Sequence, residues 1–421
     1  MICIPRLHRS EAVTVSVLVV SLLTAGAIAA LYWLTSQPKL SDIRRLANLG
    51  RWEQADVVAA RYLSRKPTDD EALMLAARVA AGLGELKRCA ELLERVPTQS
   101  QLKLEALFRQ GQSYRELYFA RQAEETWREV ISLCEERGLD SSHYLFSAKV
   151  ELISLMSLER RVRETRELLW QLYPRHPEKW RLLVTMARLE AKPAYPQLAM
   201  PMLEKCLEQD SGDLDARRGL ALYSLDVSQW KEAADLASYC LEHDPLDKLS
   251  LEILLECKFR LQEWDAMDEI LARPDLDDSS ARVWRLRGQR LETLSKAEEA
   301  EQCFREALRL NPNDPTTHFQ LAQLLRRSRA LGADEHQAEF RRLQGDTEAI
   351  ARVISSFSAQ NPENWAAPEP ATCIELATHC NGLGRIEEAR GWVDQALRQV
   401  PDFPAALELQ RQFSELSAPS E

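Results

Sequence analysis

The chain of 421 residues lacks most of the signatures that carry chemistry. It has no G-x-x-x-x-G-K-S/T or G-x-G-x-x-G loop to cradle phosphates, and no G-x-S-x-G elbow to present a nucleophile. Its seven histidines (His8, His143, His176, His243, His318, His336, His379) are dispersed, and none lies in H-E-x-x-H or a similar ligand spacing. No metal site, cofactor or catalytic residue is therefore assigned. No excess of positive charge exists: the net charge is -11, which excludes a general affinity for nucleic acid, since phosphates need concentrated Lys and Arg.

Two further absences bear on structure. After residue 40 no stretch alternates β-branched or aromatic residues with polar ones, so strands have no candidate. Leu, Ala, Glu, Arg and Gln dominate there, all good helix formers, and the expected fold class is all-α. The nine cysteines form no C-x-x-C pair and are odd in number, as suits scattered thiols in a reducing compartment. Cys373, His379 and Cys380 come closest to a metal cluster, but the two cysteines fall on packed-face positions of a helix and read as buried thiols.

One long hydrophobic run is present. Residues 1–11 form a short basic segment with Arg6 and Arg9, and Ala12–Leu34 is a run of 23 residues without a charge. At about 1.5 Å per residue it spans a hydrocarbon layer of roughly 30 Å, with Tyr32 and Trp33 at the interface. This reads as an N-terminal transmembrane anchor, residues 12–34. The other reading is a signal peptide cleaved after Ala29, which would release a periplasmic or secreted protein. Charges flanking the run are nearly balanced; the nearest ones favour an extracytoplasmic body, while the cysteines favour a reducing side.

Beyond the run, the chain repeats. In residues 281–314, Trp284, Gly288, Leu291, Ala300, Phe304, Ala307 and Pro312 fall on positions 4, 8, 11, 20, 24, 27 and 32 of a 34-residue unit. Residues 214–247 place Leu220, Ala221, Ser224, Trp230, Ala233, Ala237, Cys240 and Pro245 in the same slots. So do residues 180–213, with Leu183, Ala187, Ala199, Leu203 and Cys206, and residues 370–403, with Leu376, Ala377, Gly384, Ala389, Val393, Ala396 and Pro401. Gly111, Tyr114, Ala123, Trp127 and Val130 keep the intervals earlier. Small residues at 8, 20 and 27 let three helices approach closely, a glycine at 15 (Gly84, Gly384) ends the first helix, and proline at 32 stops the second.

This pattern resembles the tetratricopeptide repeat (TPR) family, over roughly residues 40–416. The resemblance implies an α-solenoid, a right-handed superhelix of helix–turn–helix units. Each unit buries its apolar face only against its neighbours. The organisation expected is a TPR array over 40–330, a degenerate repeat with an insertion and a Pro-rich linker over 331–369, a C-terminal TPR over 370–403, a capping helix over 404–416 and a frayed tail, 417–421. Units at 70–97 and 248–275 stop early, and 138–177 lacks the small residues.

The resemblance also implies where a partner binds, because helix A positions 2, 5, 6, 9 and 12 line the concave face in this family. Those slots hold Arg109, Gln112 and Arg115, then Arg181 and Arg188, then Arg218, then Arg282, Arg285 and Gln289, and finally Phe319, Gln320 and Gln323. Guanidinium groups there suit carboxylates and backbone oxygens of an extended peptide. The lysine–asparagine set of the carboxylate-clamp members is not reproduced, so a chaperone C-terminus is not implied. The expected function is a membrane-anchored bacterial scaffold that binds a protein or peptide in its groove. An enzyme or enzyme subunit built on the repeats is the alternative of a different class.

Overall fold

A computed structural model describes residues 38–190, 196–273, 276, 279–358 and 366–416. The run at 12–34, the tail and most of the Pro-rich linker lie outside the described residues. Among those described there is no strand, and no helix is long and apolar enough to cross a membrane.

The chain divides into two compact units, residues 1–117 and 118–421. The boundary falls inside an interval that the small-residue register reads as one repeat, Gly111 to Val130. Unit 1 holds α1 (Leu40–Asn48), α2 (Trp52–Leu63), α3 (Asp70–Gly82), α4 (Leu86–Glu94) and α5 (Lys103–Glu116). Successive helices pack on one another, around a core of Ile43, Ala55, Ala59, Leu73, Ala76, Val79 and Leu93.

Unit 2 begins with α6 (Ala120–Glu136), α7 (His143–Leu158), α8 (Val162–Leu172) and α9 (Lys179–Glu190). It continues through α10 (Pro196–Gln209), α11 (Leu214–Asp226), α12 (Trp230–His243), α13 (Lys248–Leu261) and α14 (Trp264–Leu271). The regular pair α15 (Ala281–Thr293) and α16 (Ala297–Leu310) follows, then α17 (Pro315–Ser328) and the 26-residue α18 (Ala333–Ser358). The unit ends with α19 (Pro370–Gly382), α20 (Ile386–Gln399) and α21 (Pro404–Leu416).

The turn between paired helices is the same in eight places. A residue in the left-handed region (Gly50, Gly84, Tyr118, Arg160, Ser228, Gln262, Ser295 or Gly384) stands two positions before the next helix. In seven of these turns the following amide reaches back to a carbonyl five residues earlier, as in Lys296 N to Leu291 O at 3.0 Å and Arg385 N to Cys380 O at 2.8 Å. This Schellman bond satisfies a carbonyl that the helix end leaves open. Five of the eight residues are not glycine and carry the left-handed cost of about 1 kcal/mol, so glycine at position 15 identifies only some of the turns.

The opposite ends of the hairpins use side chains. Asp69, Asp213, Asp247, Ser280 and Asp314 cap α3, α11, α13, α15 and α17, each accepting a backbone N–H of the first turn. The reason for a glycine at position 8 is visible in the regular unit: a Cβ on Gly288 would stand 2.7 Å from the Phe304 ring, which is wholly buried.

Residues 180–213 do not form the hairpin that their spacing implies. α9 packs on α8, α18 and α20, whereas α10 packs on α11. Leu183, Val184 and Ala187 share a core with Cys373, Ala377, Trp392 and Ala396 of the C-terminal repeat. Gly391 makes room for this: a Cβ there would meet Leu183 at 2.7 Å, and Tyr173 donates its hydroxyl to the Gly391 carbonyl at 3.3 Å. The succession of packed helices in unit 2 thus returns from its C-terminal end onto α8 and α9.

Candidate functional site

In unit 1, α3 and α5 present parallel stripes. Glu71, Met74 and Arg78 recur at helical spacing on α3, as do Glu105, Arg109, Gln112 and Glu116 on α5. Between them lies a cleft of 410 Å³ with an apolar floor that includes Leu75, Ala81, Leu93 and Leu102. Arg109 donates to Glu105 at 2.8 Å, and Arg44 engages Glu71. Arg78 and Glu116 are exposed, and among the described residues neither has a hydrogen bond or ion pair. Cys89 closes the floor. Burial pushes its thiol up from the usual range, so it packs rather than reacts.

The cleft therefore holds an acid and a base of its own above a hydrophobic trough. Of the residues nominated from sequence, Arg109 and Gln112 line it, and Arg115 does not. Glu116 falls one residue past the last groove slot of α5, while Met74 and Arg78 belong to 70–97, a unit that stops early and contributes no slot to the sequence pattern. The i, i+3 and i+7 spacing of Glu71, Met74 and Arg78 would have found them.

The other nominated residues are distributed through unit 2. Arg181 pairs with Glu178 at 2.8 Å, and Arg188 and Arg218 line two adjoining clefts near the α7–α8 turn. Arg218 engages Asp215 and also Asp247, the latter at 3.1 Å. Gln289 is buried, Gln320 is half-buried and Gln323 is exposed. Phe319 meets Phe340 of α18 with ring centroids 5.1 Å apart.

Arg282 and Arg285 converge on Glu256 of the preceding repeat, at 3.6 and 3.4 Å, and Arg260 joins them at 2.9 Å. Glu256 is buried. Burial alone would raise its carboxyl, but the Arg285, Arg282 and Arg260 charges overcome this and hold it below the usual range. Arg285 also lies 3.7 Å from Asp314, the cap of α17. Reversing the charge of Arg282 and Arg285 would place new carboxylates beside a buried one, so that substitution tests folding rather than capture.

The sequence-level cluster of Cys373, His379 and Cys380 is dispersed by the fold. Both thiols are wholly buried and pushed up to about 12 by burial, while His379 meets Asp346 at 2.8 Å.

Residues 281–324 match the family model of the tetratricopeptide repeat. No curated protein matches the chain. Among solved structures it is similar to MamA from Desulfovibrio magneticus RS-1, at 14% identity over 39% of this chain and 94% of that one, with a TM-score of 0.31. It is similar too to a tetratricopeptide repeat protein from Parabacteroides merdae ATCC 43184, at 18% identity over 61% and 98% of the two chains and a TM-score of 0.30. A third is pilF of Pseudomonas aeruginosa, at 18% identity, 55% and 96% coverage and a TM-score of 0.30. The matched segment is α15, α16 and most of α17, and its turn geometry recurs at the other hairpins. Residues 281–324 therefore carry a tetratricopeptide repeat.

Proposed function

We propose that this protein is a non-enzymatic scaffold that captures a polypeptide segment in the groove between α3 and α5. The observation that carries the reading is the pairing of an apolar trough with Arg78 and Glu116, two exposed opposite charges without partners among the described residues. An amphipathic segment laid along the trough satisfies both charges and buries the exposed methylenes. Arg109 and Gln112 supply further donors on the same stripe.

A photoreactive amino acid at Gln112 is expected to give polypeptide adducts in the native host that the same group at Lys87, exposed on α4, does not give. Arg78→Glu should remove those adducts while leaving the thermal melt unchanged. Equal adducts at both positions, or adducts insensitive to Arg78→Glu, would overturn the assignment. The same reading places the scaffold at a membrane through residues 12–34. It expects the chain to resist alkaline carbonate extraction and to have an intact mass that includes the run; a mature chain beginning after Ala29 would replace the anchor with a released form.

A further inference from the structure

In unit 2 a pair of histidines ties the start of α18 to the start of α17. His318, in the first turn of α17, is buried. Its Nε2 stands 2.9 Å from the Pro312 carbonyl oxygen, and its Nδ1 stands 3.0 Å from Nδ1 of His336, in the first turn of α18. A carbonyl oxygen only accepts, so Nε2 of His318 carries the proton that it donates there. The neutral ring then has a bare Nδ1, and His336 supplies the N–H between the two rings. Beside this bond Phe319 of α17 meets Phe340 of α18, one helical turn beyond His336.

The space between the rings has room for one proton. If His318 takes a proton at Nδ1 while His336 keeps its own, two N–H groups face each other across 3.0 Å, on charged rings whose centroids are 5.2 Å apart. The neighbouring acids are occupied by their own partners. On α16, Glu301 accepts from Arg305 at 2.9 Å, and on α18 both oxygens of Glu339 accept from Arg342, at 3.1 and 3.0 Å. Asp314, the cap of α17, accepts the Thr316 amide and the Thr317 hydroxyl and lies 3.7 Å from Arg285 of α15. Burial first, then the His318 ring and Arg305, hold His336 below the ordinary histidine value, although Glu335 and Glu301 oppose them. Further along, α18 is held by other means. Asp346 meets His379 of α19 at 2.8 Å, Arg342 donates to the Gly382 carbonyl at 2.7 Å, and Ile350 and Ile354 join the core shared with α9.

We infer that the His318–His336 contact is an acid-sensitive latch: an added proton parts the rings and frees the first two turns of α18 from α17, while the rest of α18 stays on α19. Opening takes up a proton because the closed form favours a neutral His336. The latch is therefore fully held above about pH 6.5, the ordinary histidine value, and gives way as pH falls below it. Release uncovers the facing sides of Phe319 and Phe340, so acidification is converted into exposure of an aromatic pair. The device lies in unit 2 and does not rest on the α3–α5 groove.

The test is hydrogen exchange of the full chain, read by mass spectrometry on peptides from residues 333–343. Peptides from α15 serve as the internal reference, and each rate is divided by its intrinsic value at that pH. Opening with uptake of one proton should lower the protection of 333–343 about tenfold per pH unit between about pH 6 and pH 5, without a matching loss in α15. His336→Asn keeps an amide donor near the Nδ1 position, does not titrate, and can turn its oxygen to a protonated His318. Its protection should hold to pH 5. His318→Gln keeps a donor for the Pro312 carbonyl but lacks the facing nitrogen, and its profile should be equally flat. His336 is half-buried, so its variant keeps the fold even where the buried His318→Gln does not. A flat profile in the wild type, an equal loss in α15, or a wild-type slope in His336→Asn would overturn the latch.

Discussion

Residues 281–314 and 180–213 carry nearly the same repeat signature and fold differently. Both put small residues at positions 8, 20 and 27, and both end in an aspartate that caps the next helix, Asp314 and Asp213. Position 5 separates them. It is Arg285 in the first, within reach of Asp314, and Val184 in the second, wholly buried against the C-terminal repeat. Residues 214–247 side with the regular unit, with Arg218 at position 5 and Asp247 at the cap, again 29 residues apart. Asp213 has no such arginine: its Oδ2 is buried without a hydrogen-bond partner among the described residues, and burial pushes its carboxyl up. Small residues permit a hairpin, then, while the stitch from position 5 to the next cap accompanies the stacking of one hairpin on another.

The largest expected effect breaks the regular side. Phe304 is wholly buried between Gly288 and the core shared with Leu321 and Leu325. Phe304→Ala should lower stability in chemical denaturation by about 3–5 kcal/mol. A loss below about 1 kcal/mol would show that the hairpin does not depend on its filler.

The irregular side yields a titration. Glu159, beside Asp213 and under Gly219, is almost wholly buried and its carboxyl is pushed up to about 8. Burial is the main cause, and Asp213 and Asp215 add to it. Arg161 lies 3.1 Å away and opposes the shift, but it is shared with Glu124, Glu164 and Asp215, so the neutral acid is the form favoured at pH 7. The folded state then holds a proton that the unfolded chain releases near pH 4.5, and stability falls as pH rises from about 4.5 to about 8. Glu159→Gln should match the wild type below that window. It should exceed it by roughly 2–4 kcal/mol at pH 8 and above. Parallel stability profiles across the window would mean that Glu159 is charged when folded.

The junction of α11 with the α7–α8 turn is probed by Gly219→Ala. Alanine ordinarily stabilises a helix over glycine by about 1 kcal/mol, and Gly345 in α18, with nothing near its Cβ position, should show that gain. At Gly219 the added carbon meets backbone, which cannot swing aside, so a loss of about 1–3 kcal/mol is expected instead. Opposite signs at the two glycines, read from thermal melts, are the outcome that supports the junction.

Much of the fold was legible because the small residues have no other use: Ala300 and Ala307 around Phe304, or Ala389 and Ala396 around Val393, mark contacts wherever they recur. The turns at Arg160, Ser228, Gln262 and Ser295 were not legible, since a left-handed residue held by its own Schellman bond need not be glycine. The path of α9 was hidden because Leu183 and Ala187 suit either neighbour, and the choice rests on Gly391 and Trp392 some two hundred residues away. The arginines at Arg218, Arg282 and Arg285 were read as groove donors, whereas the fold spends them on acids of adjacent repeats; the recurring interval from Arg218 to Asp247 and from Arg285 to Asp314 was the available signal.

That interval gives the smallest and most direct test of the comparison. Asp247 has a side chain 5% exposed; one oxygen accepts the Leu249 and Ser250 amides, and the other accepts the Ser250 hydroxyl at 2.7 Å and Arg218 at 3.1 Å. Arg218→Gln removes the cation and leaves Asp247 in the condition of Asp213, a buried cap without an arginine. The cap bonds survive, so the expected loss is about 1–2 kcal/mol, short of what a fully orphaned charge costs. Asp247→Asn in the same background should recover part of it, because the amide keeps an oxygen for the helix N-terminus without a charge to bury. If Arg218→Gln alone is neutral, the stitch contributes nothing to stacking and position 5 no longer separates the two kinds of repeat. If the double variant is no better than the single one, Asp247 was not left charged, and the resemblance to Asp213 rests on packing alone.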